Sequence, residues 1–120
     1  MIKNVTILML ICLLSIGTQT IAEEKLIPDN EASKYIGEFV SVKGFVANVY
    51  QSKKGNIFLN FGKQYPDQTF AAVIFSKDTS KFNNIKAFEG KIVVVTGVVQ
   101  LYKGHPEIIL NDPDQIKITK

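Results

Sequence analysis

The sequence predicts an all-β domain: a small closed barrel of five strands with one or two short helices, behind a removable N-terminal signal. Three observations carry this reading. Glu38–Tyr50 is one long run of β-branched and aromatic residues with Gly44 at its centre, the composition of a strand that bends so as to pair at both ends. Four further apolar runs follow, bounded by turns rich in Gly, Pro, Asn and Asp. A helix-sized stretch, Ser76–Phe88, separates the third run from the fourth.

The first residues read as a processing signal. Lys3 supplies a positive charge, Val5–Ile16 is an almost unbroken apolar run, and Thr20-Ile21-Ala22 has the small-x-small ending that a signal peptidase accepts. The apolar run is shorter than the roughly 20 residues that span a bilayer. Cleavage is expected after Ala22, giving a signal peptide over 1–22, a domain over 23–120, no stable membrane anchor, and a periplasmic or secreted product. Cys12 lies inside the apolar run rather than after a small residue at its end, which argues against lipidation.

Removing 22 of 120 residues leaves 98, enough for one small domain. Cys12 is the one cysteine, so the mature chain has none, and disulfides, thiol catalysis and cysteine metal sites are excluded. Loss of Lys3 lowers the formal charge from +3 to +2, far from polybasic. All 14 basic residues are lysines. Without arginine there is no forked donor for bidentate reading of guanine or phosphate, so nucleic-acid binding would rest on point charge and stacking.

Along the mature chain, residues 23–28 read as an irregular lead-in. Asp29–Gly37 follows as a short helix, with Asp29 as cap, Glu31 in the first turn and Gly37 as the left-handed stop; Ala32, Tyr35 and Ile36 share its apolar face. It is expected to plug one end of the barrel. The first strand, Glu38–Tyr50, ends in the polar turn Gln51–Asn56. In the second, Asn56–Phe61, Ile57, Leu59 and Phe61 alternate with Phe58 and Asn60, so an inward apolar triplet turns Phe58 and Asn60 outward. The third, Thr69–Phe75, is apolar on both sides and so covered on both. Phe82, Ile85 and Phe88 give the insert an apolar edge to set under the barrel. The fourth strand is Lys91–Leu101, with Gly97 as a bulge or bend; the last is Glu107–Leu110 with Gln115–Ile118, interrupted at Asn111–Asp114.

That order is the one expected of an oligonucleotide/oligosaccharide-binding (OB) barrel. The blocks Ile57-Phe58-Leu59-Asn60-Phe61-Gly62, Tyr65-Pro66, Phe70, Glu89-Gly90-Lys91, Val95-Thr96-Gly97, Tyr102–Ile108 and Asp112–Ile116 also carry a likeness. Over residues 32–118 the chain resembles a family of small exported bacterial OB-fold proteins described as nucleic-acid- or DNA-binding. The resemblance implies the OB fold and a nucleic-acid ligand.

OB barrels bind across their second and third strands, between the loops joining strands one to two and four to five. That surface gathers Tyr50, Lys53, Lys54, Phe58, Asn60, Tyr102, Lys103 and His105, with Tyr65 at its edge. Rings would stack on bases while ammonium groups follow phosphates. Each residue also has a plainer reading: Tyr50 and Tyr102 as strand-end packing, Lys53-Lys54 as a solvated hairpin tip, Phe58 as a ring covered by a loop or the first helix, and His105 as a member of a tight turn. No enzyme is expected. One histidine without cysteine makes no usual zinc site, no glycine-rich phosphate loop follows a strand, and Asp112 with Asp114 gathers too few ligands for calcium. No metal or cofactor is expected. The partner is single-stranded nucleic acid, bound non-specifically; the alternative is a cell-envelope protein, and an oligosaccharide ranks behind both because there is no tryptophan platform.

Overall fold

A computed structural model describes residues 24–119, so the signal expected over residues 1–22 lies outside the described part. Seven strands occur among them: β1 (Lys25–Pro28), β2 (Phe39–Gln51), β3 (Ile57–Phe61), β4 (Phe70–Ile74), β5 (Ile92–Tyr102), β6 (His105–Ile109) and β7 (Ile116–Ile118). Five close a ring in the order β2-β3-β4-β6-β5 and back to β2. All neighbours in the ring are antiparallel except β4 and β6, which run parallel and close it.

The ring closes because β2 pairs twice. Its first half, Phe39–Phe45, runs antiparallel to β5, and its second half, Val46–Gln51, to β3. Between the halves the register slips at Val46/Asn48, a β-bulge. The slip reverses the parity of burial: Val40, Val42 and Val46 point into the core before it, Val49 after it. Asn48 and Tyr50 are thereby turned to the outer face.

Gly44, expected as a bend, lies just before β2 changes partner from β5 to β3, and both Gly44 and Gly97 also permit close approach. A Cβ on Gly44 would lie 2.7 Å from Phe61 Cδ2 and 2.8 Å from Asp29 Oδ1. One on Gly97 would lie 2.7 Å from Ile108 Cγ2, and the β2–β5 register runs unbroken through Gly97, so the bulge expected there is absent.

The core is built from Val40, Val42, Val46, Leu59, Phe61, Phe70, Ala72, Ile74, Val93, Val95, Val99, Ile108 and Leu110, with Phe82, Ile85 and Phe88 packed against it. As expected, every residue of β4 is buried. The segment Asp29–Tyr35 is a 3₁₀ helix lying against β2, β4, β5 and β6, which stops one end of the ring with Ala32. Asp29 does not cap it: its carboxylate accepts a hydrogen bond from the Thr69 hydroxyl, tying the helix to the loop before β4. The insert is two short 3₁₀ turns, Ser76–Lys81 and Ile85–Phe88.

Two readings of the chain ends need correction. Lys25–Pro28 is not irregular but β1, parallel to Val40–Lys43 of β2. The expected last strand is two: β6 pairs with β4 and β5, whereas β7 returns to the far half of β5 at Val93–Val95. Between them Asp112 caps the 3₁₀ turn Pro113–Gln115, accepting from Asp114 N at 2.8 Å. Asp112 is thus committed to a backbone cap.

Candidate ligand-binding groove

A groove of about 580 Å³ crosses the outer face of β3 and β4, within the size range of small-ligand sites. Tyr50, Phe58, Asn60, Tyr65, Tyr102, Lys103 and His105 line it, so the structure brings together seven of the residues expected at the site. Lys53 and Lys54 do not line it. They sit exposed in the turn between β2 and β3, the solvated hairpin tip.

Each wall follows from local geometry. Tyr50 and Phe58 are paired across β2 and β3, their ring centroids 6.4 Å apart and tilted by 32°. Phe58 is half-buried, partly covered yet open to the groove. Tyr102 and His105 are paired at the mouth of the β5–β6 hairpin, whose two-residue turn is Lys103-Gly104. Positive φ at both turn residues, 49° and 82°, gives the primed turn that matches strand twist. Lys103 Nζ folds back to 5.3 Å from the Tyr102 ring. Tyr65 stands on the β3–β4 loop, largely exposed at the rim.

The floor differs from expectation. Asn60 is not an exposed amide: it is 2% exposed and donates from Nδ2 to Asn48 Oδ1 at 3.1 Å. Asn48, Gln64, Gln68, Ala71 and Glu107 complete the lining, none of them among the expected site residues. Asn48 and Asn60 face each other across β2 and β3, Asn60 pairs with Ala71 across β4, and Ala71 with Glu107 across β6. These registers make one polar row across four strands. The parity change between Val46 and Val49 was the signal that could have found Asn48. Glu107 depended on the β4–β6 pairing, which no local pattern reveals.

Burial pushes the Glu107 carboxyl above its ordinary value of 4.5. Folding then favours the protonated acid, so stability falls as pH rises from that ordinary value through the raised one. Glu89 acts in the opposite sense, held below its ordinary value by the Val49 amide at 2.8 Å and by Lys86 at 3.0 Å. Its contribution is present above its ordinary value and lost as pH falls. Thermal unfolding of Glu107→Gln across pH should therefore lack the decline of the parent on the alkaline side of 4.5 while keeping the loss on the acid side. Parallel profiles for variant and parent would contradict this assignment.

No protein-family model and no curated protein matches the chain. Solved structures do. The asparaginyl-tRNA synthetase of Entamoeba histolytica with asparaginyl-adenylate is similar at TM-score 0.54 and 18% identity, over 82% of this chain and 24% of that one. The aspartyl-tRNA synthetase of the same organism is similar at TM-score 0.51 and 14% identity, over 83% and 26%. OBody AM1L10, bound to hen egg-white lysozyme, is similar at TM-score 0.54 and 19% identity, over 84% and 99%. This chain thus spans about a quarter of the synthetases and nearly all of the OBody. At these identities the likeness shows the OB fold alone.

Proposed function

We propose that this chain is an exported binding module, not an enzyme, that takes a short single-stranded stretch of nucleic acid in the groove with little sequence preference along the strand. The supporting observation is one concave face combining the ring pair Tyr50 and Phe58, the rim rings Tyr65 and Tyr102, and amides on the floor. Stacking on aromatic rings contributes about 1–3 kcal/mol per base and tolerates every base. Neighbouring OB folds occur in proteins whose substrate is a tRNA, which agrees with the reading.

Charge plays a smaller part than the lysine content suggested. Of Lys53, Lys54 and Lys103, only Lys103 lines the groove. One or two phosphate contacts give a slope of log Kobs against log salt of about −0.7 to −1.4. Fluorescence anisotropy of the mature protein with labelled single-stranded DNA over a salt series tests the proposal. Binding with that shallow slope supports it; no binding at any salt counts against it.

One observation favours a second reading, a cell-envelope protein partner. Phe39 beside Val98 and Phe45 beside Ile92 form exposed cross-strand pairs on β2 and β5, and none of them lines the groove. OBody AM1L10, similar in fold, is bound to hen egg-white lysozyme, which agrees with a protein ligand. Capture of one envelope protein that survives nuclease treatment and is lost in a Phe39→Ser, Phe45→Ser variant would favour that reading.

A further inference from the structure

The polar row on the groove floor is unbalanced in a way that bears on which bases it accepts. Asn60 and Asn48 are joined by one hydrogen bond, Asn60 Nδ2 donating to Asn48 Oδ1. Gln68, only 9% exposed, holds its Oε1 buried with no partner. Glu107 is half-buried, and none of the three ion pairs among the described residues includes it. The Glu107 carboxylate only accepts hydrogen bonds, whereas the Gln68 amide can accept or donate. A buried acceptor without a donor costs free energy that a donating ligand recovers.

We propose, on the strength of the nucleic-acid reading above, that at one position of an otherwise unselected strand the floor favours a base carrying an exocyclic amino group, cytosine over uracil or thymine, through the carboxylate of Glu107. Cytosine presents an amino group on the edge where uracil presents a carbonyl oxygen. A carboxylate accepts from the cytosine amino group, whereas it would face the lone pairs of the uracil carbonyl. Tyr50 and Phe58 hold the ring of either base equally, because stacking does not distinguish the two edges. The rings therefore supply affinity and the floor supplies choice. Ala71, placed between Asn60 and Glu107 in the row, puts no long side chain at the centre of the floor.

The experiment is anisotropy with labelled oligo(dC) and oligo(dU) of equal length at one salt concentration, so that sugar, phosphate and ring size are shared. A preference of roughly tenfold for oligo(dC) is expected, the worth of one good base contact. Glu107→Leu should bring the ratio close to one, and Glu107→Gln, whose amide can donate to a carbonyl as well as accept, should lower it. Thermal unfolding shows whether each variant is folded, and the comparison within the parent protein needs no variant. Equal affinity of the parent for the two oligomers overturns this inference and leaves the proposed function standing. A preference that persists in folded Glu107→Leu overturns the role of Glu107. Binding of neither oligomer, with retention of a lysine-rich peptide instead, overturns both proposals and gives the acceptors to a protein ligand.

Discussion

Replacing Phe61 by alanine is expected to cost about 3–5 kcal/mol, comparable to the whole stability of many small domains. Phe61 is fully buried on β3, edge-on to Phe70 with centroids 5.0 Å apart and planes at 89°. Its ring also fills the space left by the missing Cβ of Gly44, where β2 passes close above it. Truncation thus opens a cavity between β2, β3 and β4, where a closed ring of strands can collapse little. Urea unfolding should show the midpoint falling sharply with the slope unchanged. A loss below about 1 kcal/mol would mean that the ring is not the keystone of the core described above.

Phe58→Ala is expected to weaken single-strand binding by about 1–3 kcal/mol, roughly five- to a hundredfold. Phe58 is the half-buried partner of Tyr50 in the wall of the groove, whereas Tyr65 at the rim is 72% exposed and should matter less. Phe45→Ala is the control: the same ring type, exposed on the half of β2 that lies outside the groove, with no effect on binding expected. If both variants bind as the parent does, the groove does not hold the bases. If Phe45→Ala alone weakens binding, the ligand occupies the other face.

The five ring strands were legible because each combines a β-rich run with a turn at its end. The apolar triplet Ile57, Leu59 and Phe61 fixed which face of β3 is buried. β1 was not legible: of its four residues only Ile27 is buried, Pro28 ends it, and its pairing depends on a partner about fifteen residues away. β6 and β7 read as one strand because both are apolar runs around a proline turn, and only β5 shows that they pair with different halves of it. The Lys53-Lys54 turn is legible from its polar, glycine-bearing composition, but no sequence pattern states which way a hairpin tip leans. The aromatic walls were found because rings at strand ends stand out. The floor was missed because Asn48, Gln68 and Glu107 look like ordinary surface residues until the bulge in β2 and the parallel β4–β6 pairing bring them together.

Amide chemical-shift mapping during titration with unlabelled single-stranded DNA addresses the location of the ligand most directly. Shifts centred on Asn48, Tyr50, Phe58, Asn60, Tyr102 and His105, with residues 39–45 unmoved, are the predicted result. Shifts confined to residues 39–45 and 92–98, or none at saturating DNA, would contradict a binding groove across β3 and β4.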